Sequence, residues 1–362
     1  MKQRLKDFFD AAGTKIRNLI RRNIYYITDR ANWSFYWDGF YITGGLKKIP
    51  GVHAYMSIDP WTYKNQILHF GDRYAYLHGP FEHLSSSNNV FLTWFHGVPD
   101  DPDPNISCLF DILPKAVNSL KGIVVSCKIS ENVLVDFGVP AAKVVRIPLG
   151  IDLDRFFPPS ETERFNLRSK LGLSVDTVCI GSFQKDGIGW GDGMEPKLIK
   201  GPDVFVKVIS NLFKKHKNIH VLLTGPARGY VKEGLKKLGI NYSHYNLANY
   251  HDIVQSYQVL DMFLITSRAE GGPKALLESW ATGVPVVSTE VGMPADLIVH
   301  GKNGMLAQIE DVAALTDHAE KLIEEPSLSD ECRRNALGEV KLYDWNRIAK
   351  QYYTKLYKPL LH

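Results

Sequence analysis

No stretch of this 362-residue chain approaches the roughly 18 to 20 uncharged apolar residues that a membrane-crossing helix requires. The N-terminus has neither an apolar signal core nor a small-residue cleavage site, so a cytoplasmic location is the expectation. Cysteine is scarce. Cys108, Cys127, Cys179 and Cys332 are scattered without Cys-x-x-Cys spacing or nearby paired histidines, which argues against a disulfide framework and a zinc site and leaves them as small core residues. A Gly-x-Gly-x-x-Gly fingerprint between a strand and a helix is missing, so a nicotinamide dehydrogenase is disfavoured.

Net charge is modest, +4, and unevenly placed. Lys2, Arg4, Lys6, Lys15, Arg17, Arg21 and Arg22 stand against only Asp7 and Asp10 within residues 1–22, so the rest of the chain is nearly neutral. Basicity confined to one segment argues against a nucleic-acid surface along the chain. In the same segment Leu5, Phe8, Phe9, Ala12, Ile16, Leu19 and Ile20 follow a helical stripe, which predicts a basic amphipathic helix. Two readings stay open for it: packing on its own domain, or lying on an anionic membrane surface as a peripheral contact at the inner face.

What the chain has in quantity is short apolar runs. NIYYIT (23–28), HAYMSI (53–58), NQILHF (65–70), VFLTWF (90–95), GIVVSC (122–127) and KVVRIP (143–148) form one series of predicted strands. TVCIGSF (177–183), IHVLLTG (219–225), DMFLITS (261–267), PVVSTE (285–290) and GMLAQI (304–309) form a second, and both alternate with helical spacing. Continuous apolar strands between helices imply parallel sheets covered on both faces. The expected fold is therefore α/β, with two facing Rossmann-like domains, 1–155 and 156–343, joined near PLGIDLDRFFPPSE (148–161). An aromatic-rich amphipathic helix over 344–361 either caps the second domain or returns to the first.

The segment KDGIGWGDG (185–193) has glycine at every second position and follows a strand directly, so it reads as a mobile loop, either a linker or an element that contacts substrate. The stretch with most chemistry in it is SRAEGGPKALLESWATGVPVV (267–287). Its strand ends in a loop carrying Glu270, Gly271 and Gly272, and Pro273 opens a helix reaching to about Ala281. The glycines admit close approach of a ligand, and the amides of Lys274 and Ala275 at the helix start favour a phosphate oxygen. Glu278 can accept two hydrogen bonds from a vicinal diol, while its charge near the helix start also suits the macrodipole. Glu270 can accept from a sugar hydroxyl or stabilise positive charge developing at an anomeric carbon, or it is merely solvated.

The E-x7-E pattern within 267–307, together with 123–156 and 343–357, resembles the signature of the family-4 retaining glycosyltransferases. That resemblance implies the GT-B architecture and transfer of a sugar from a nucleotide-diphosphate donor to a glycan or lipid-linked acceptor, with no metal and no cofactor. It implies that Glu270 contacts the transferred sugar and Glu278 the ribose, and that the terminal helix returns to the first domain. It also makes Lys200 of Lys200-Gly201 a diphosphate ligand. The family's arginine position is occupied by Ser182, which carries no charge; Lys185 is the expected substitute and Lys197 its competitor. His96, ending the strand WFHG (94–97), is expected at the interdomain cleft near the donor sugar, against a core or capping role. Gly45, in FYITGGLKKI, resembles the family's glycine-rich turn at the donor phosphates. The aromatics of 31–41 either stack on an acceptor or fill the core.

Asp101-Pro102-Asp103 and Asp152-Leu153-Asp154 both spell the Asp-x-Asp of metal-dependent transferases, but neither continues a strand into a metal-binding turn. The rivals to a transferase are a binding or assembly subunit that keeps the fold without the chemistry, as Ser182 would suit, and an epimerase-like enzyme of the same architecture.

Overall fold

Runs rich in Val, Ile, Leu and Phe, each about half a dozen residues long, are too short for helices and too apolar for surface, and they become the centres of two sheets. The computed structural model describes residues 22–29 and 34–361. The basic segment 1–21 and the start of the aromatic stretch, residues 30–33, lie outside the described residues. The described residues divide into two compact units: the first holds those up to Ser126, Ser130–Leu149 and those from Trp345 to Leu361, and the second holds Cys127–Ile129 and Gly150–Asp344.

Unit 1 is built on a sheet in the order β2-β1-β3-β4-β5-β6. Its strands are β1 (Ile24–Ile27), β2 (Ala54–Ser57), β3 (Ile67–Phe70), β4 (Asn89–Trp94), β5 (Leu120–Val125) and β6 (Val144–Arg146). Every pairing is parallel. Both β3 and β4 are buried along their whole length, as expected of central strands with helices on both faces.

Unit 2 has the order β12-β11-β10-β7-β8-β9, again all parallel. The strands are β7 (Val178–Phe183), β8 (Ile219–Thr224), β9 (Asn241–Tyr245), β10 (Met262–Ile265), β11 (Val286–Thr289) and β12 (Met305–Ala307). The sequence reading missed β9. Its residues, NYSHY, carry no apolar run: it is an edge strand, half exposed along its length and paired only to β8. Helix Pro202–Lys215 buries Val204, Phe205, Val208, Ile209 and Leu212, at the spacing of one helical face, in the core formed with β7, β8 and β10.

The chain end belongs to unit 1. Helix Trp345–Tyr352 lies against helix Ser34–Lys47, with Trp345 stacked on Tyr41 at 5.4 Å between ring centroids and Lys48 Nζ donating to Asn346 Oδ1 at 2.7 Å. A polar staple completes the attachment. His69, fully buried on β3, bonds Tyr357 Oη at 2.6 Å through Nδ1 and Thr93 Oγ1 at 2.8 Å through Nε2. Burial pushes its pKa down to about 3, so the ring stays neutral and both nitrogens are satisfied.

The glycine pair at 44–45 corrects the sequence reading. Gly45 does not sit in a phosphate-facing turn; it lies in the last turns of helix Ser34–Lys47. A Cβ there would come within 2.5 Å of the Ala349 Cβ, so the glycine lets two helices approach closely. Gly45→Ala should therefore destabilise the protein by about 1–3 kcal/mol through overpacking. Adding Ala349→Gly should restore most of that loss; urea denaturation of both variants checks it, and equal stability of Gly45→Ala and wild type would contradict the contact.

Candidate functional site

In unit 2 the chain runs from β7 to β8 and β9 on one side, then returns to place β10 on the other side of β7. Strand order reverses between β7 and β10, and in open parallel sheets ligands bind outside the carboxyl ends of the strands at such a point. The two loops that leave it are 184–201 and 266–273.

The second loop is held from behind. Gly292, in a left-handed conformation at φ 46°, lies so close to the turn that a side chain there would overlap the carbonyls of Glu270 and Gly271, and the Met293 amide donates to the Gly271 carbonyl at 2.9 Å. Pro273 then caps helix Lys274–Ala281. Lys274 and Ala275 are the first two residues of this helix, so their amides precede any carbonyl four residues back within it. The helix buries Leu276, Leu277, Trp280 and Ala281, which fixes its start at the loop mouth.

The first loop returns to the same place. Gly201, left-handed at φ 62°, lies against the Thr266 carbonyl so tightly that any side chain would overlap it, and Thr266 Oγ1 donates to the Gly201 carbonyl at 2.9 Å. Arg268 spans both loops, donating to both Asp203 oxygens at 2.8 Å and to the Leu198 carbonyl at 2.5 Å. The result brings Lys200 and Glu270 together: Nζ donates to Oε1 at 2.6 Å, and Ser267 Oγ donates to the same oxygen at 2.9 Å. Both side chains are mostly buried, at 22% and 10% exposure, so neither charge is simply solvated. A phosphate or sugar oxygen approaching here meets one ammonium and one carboxylate already in contact, next to the positive end of a helix.

Glu278 lies one and a half turns further along and is only 3% exposed. Its Oε1 accepts from Tyr250 Oη at 2.5 Å and its Oε2 from Tyr257 Oη at 2.7 Å. Burial, and then the charge of Glu278, push the Tyr257 phenol well above its ordinary pKa, so it remains a donor. Sequence reasoning singled out neither tyrosine. Tyr257 sits in a helical pattern where an aromatic residue reads as core.

Sequence reasoning also missed Arg228, the cation that meets Ser182. From the residue preceding helix Gly229–Lys237, its guanidinium donates to the Ser182 carbonyl at 2.6 Å, to Ser182 Oγ at 3.1 Å and to the Thr224 carbonyl at 2.8 Å, and pairs with Asp186 at 2.9 Å. Both side chains of the pair are at 0% exposure. Burial raises the Asp186 pKa and lowers that of Arg228; removal from water weighs more on each than their attraction does. This cation is thus enclosed, and it organises the loop instead of meeting solvent.

That loop is more ordered than its glycines suggest. Ile188 N donates to Glu195 O at 2.9 Å and Lys197 N to Asp186 O at 2.7 Å, a hairpin-like pairing. Gly229 N donates to Asp192 O at 2.6 Å and Tyr230 N to Gly193 O at 2.9 Å, tying the hairpin to the start of the next helix. Gly187 and Gly193 are glycines because any Cβ would strike the Ala227 backbone. Lys185 places its ammonium 3.9 Å from the centroid of Trp190, a ring 65% exposed at the tip.

In unit 1, His96 follows β4 in a half-buried loop. The Phe95 carbonyl accepts from Ser130 Oγ at 2.7 Å and the His96 carbonyl accepts from the buried Arg73, whose guanidinium also lies 4.7 Å from the Trp94 ring centroid. Both Asp-x-Asp stretches form local turns: Asp103 caps helix Pro104–Ala116, and Asp152 Oδ1 accepts from the Asp154 amide at 3.1 Å. Among the described residues, no three His, Cys, Asp or Glu side chains gather as a metal-ligand group, and no helix is long and apolar enough to cross a membrane.

Residues 195–338 match the model of the family Glycosyl transferases group 1. The D-inositol 3-phosphate glycosyltransferase of Corynebacterium urealyticum is 28% identical over 235 residues, 60% of this chain and 52% of its own length. The lipopolysaccharide core biosynthesis mannosyltransferase LpsB of Rhizobium meliloti is 29% identical over 179 residues, 47% of this chain and 48% of its own. The chain thus spans about half the length of these curated relatives. Two solved structures share the fold: HepE of Anabaena in complex with UDP-glucose, TM-score 0.74 at 16% identity, covering 93% of this chain and 99% of that one; and sucrose-phosphate synthase of Thermosynechococcus elongatus, TM-score 0.75 at 14% identity, covering 94% and 99%. The architecture is GT-B.

The enclosed Arg228–Asp186 pair yields a stability prediction. Arg228→Met alone leaves a buried carboxylate unpaired and should cost about 3–5 kcal/mol, whereas Arg228→Met with Asp186→Leu should recover most of it. Denaturant midpoints of the two variants decide; a double variant as unstable as the single one would show that the hydrogen bonds to Ser182 and Thr224, not the charge pair, dominate.

Proposed function

Since residues 195–338 match the model of glycosyl transferases group 1 and the fold is GT-B, we propose that this protein is a retaining, metal-independent glycosyltransferase that moves a sugar from a nucleotide-diphosphate donor to a glycan or lipid-linked acceptor. The observation that carries the reading is the Lys200–Glu270 contact at the strand-order reversal, beside the first amides of helix Lys274–Ala281. HepE is solved with UDP-glucose, and LpsB is named for lipopolysaccharide core synthesis; both favour a nucleotide sugar as donor and a cell-surface glycoconjugate as product class.

In this proposal the amides of Lys274 and Ala275, with the ammonium groups of Lys200 and Lys185, neutralise the leaving diphosphate, the task that a metal has in other transferases. Gly271 and Gly272 let the backbone approach the donor. Glu270 accepts from hydroxyls of the transferred sugar and stabilises positive charge at its anomeric carbon, and Glu278 holds the ribose. His96 keeps the sugar-contact role that the family resemblance implies. The bond from the anomeric carbon to the diphosphate oxygen breaks, the acceptor oxygen bonds to that carbon from the same face, and a donor phosphate oxygen takes the acceptor proton.

A second reading, a nucleotide-sugar-binding subunit without turnover, is favoured by Ser182 and by the enclosure of Arg228, which together leave no arginine open at the end of β7 among the described residues. Purified protein given a panel of nucleotide sugars separates the two, because a binding subunit leaves every donor intact. For the transferase, Glu270→Ala and Lys200→Ala should each lower turnover by at least 100-fold, about 2.7 kcal/mol of transition-state stabilisation. Glu278→Ala should mainly raise the donor KM. Near-normal kinetics in all three would reject the assignment. The basic segment 1–22 is proposed to bind anionic membrane, and its removal should abolish flotation with phosphatidylglycerol vesicles; flotation that persists would refute that role.

A further inference from the structure

Glu278 is the residue assigned to the donor ribose, yet in this structure each of its carboxylate oxygens accepts from a phenol. The two phenols are not equivalent. Tyr257 belongs to helix Ile253–Gln258, is fully buried and has its ring against Phe183 and Phe263, at 4.7 and 5.4 Å between centroids. Tyr250 is only partly buried, on the single turn Tyr250–Asp252. Its hydroxyl is on Glu278, and the Lys274 ammonium lies 5.5 Å from its ring centroid. The ring therefore lies between the residue at the helix start, where the diphosphate is proposed to bind, and the carboxylate that would take the ribose. In a nucleoside diphosphate the ribose occupies that same interval, between the phosphates and whatever accepts from its 2′ and 3′ hydroxyls.

We propose that Tyr250 is a stand-in for the ribose: its hydroxyl occupies Glu278 Oε1 in the donor-free protein and must leave before a ribonucleoside diphosphate can bind, so this side chain sets donor affinity. The inference rests on the glycosyltransferase reading of the site. A phenol O–H and a ribose O–H are the same kind of donor to a carboxylate, so they compete for one acceptor while Tyr257 keeps the other oxygen oriented. The exchange gives Glu278 Oε1 a hydroxyl donor in both the donor-free and the donor-bound state, so the buried carboxylate is satisfied at either end of it. Tyr257 is a positioning residue and Tyr250 the one displaced.

Isothermal titration of the full chain with UDP, and with GDP and ADP as further ribonucleoside diphosphates, tests this. Tyr250→Phe keeps the ring and removes the competing hydroxyl, so it should bind the nucleotide that wild type binds roughly tenfold more tightly. Tyr257→Phe should bind it more weakly. The gain in Tyr250→Phe should shrink with the 2′-deoxyribonucleoside diphosphate of the same base, which offers Glu278 one hydroxyl fewer. Unchanged or weaker binding by Tyr250→Phe, beside a wild type that binds, would overturn the competition and leave the transferase reading intact. Binding of none of the three nucleotides by wild type or variant would overturn both.

Discussion

Strand order reverses between β7 and β10, and the candidate site follows from that one constraint. Neighbouring strands whose connections wind away to opposite sides leave their carboxyl ends uncovered by either crossover. Loops leaving such ends must be supported by something else, and here the support is steric. Gly201 against Thr266 and Gly292 against Gly271 bring backbone to backbone at distances no side chain would allow. Within that frame Lys200 and Glu270, 70 residues apart in sequence, meet at 2.6 Å. Their contact sets an ammonium and a carboxylate side by side at the mouth of the loop that leads into helix Lys274–Ala281.

Buried polar groups do the locating elsewhere. His69 joins β3, β4 and the chain end through two hydrogen bonds while staying neutral. Arg228 and Asp186, both enclosed, gather β7, the end of β8 and the hairpin that follows β7. Such pairs add little net stability over apolar packing, because dehydration of the charges opposes their attraction. Their hydrogen-bonding directions restrict the loop conformations compatible with burial, which apolar contact does less sharply. A loop with four alternating glycines consequently takes a defined hairpin shape and presents Trp190 at its tip, with the ammonium of Lys185 over the ring.

The central strands were legible because each is a continuous apolar run, and the E-x7-E turn because glycine, proline and acid at that spacing have few structural reasons to coincide. Strand β9 was not, since it is half exposed and NYSHY offers no continuous apolar run. Gly45 was misread because a glycine demanded by a helix crossing and one demanded by a phosphate look alike in sequence; Ala349, some 300 residues away, tells them apart. Arg228 had no local signal at all. It follows a turn after β8 like many surface arginines, and only the packing of β8 beside β7 brings it to Ser182.

The amino-acid sequence by itself determined the class of fold, the alternation of strands and helices, and the placing of Glu270 and Glu278 around a helix start, because these depend on periodicity and on residues close along the chain. Tertiary structure alone decided that Lys200 meets Glu270, that two tyrosines hold Glu278, and that Arg228 is enclosed with Asp186. Each of those pairings depends on which strands lie side by side. That choice is made by the burial of whole strand faces, a sum over many residues that no short motif records.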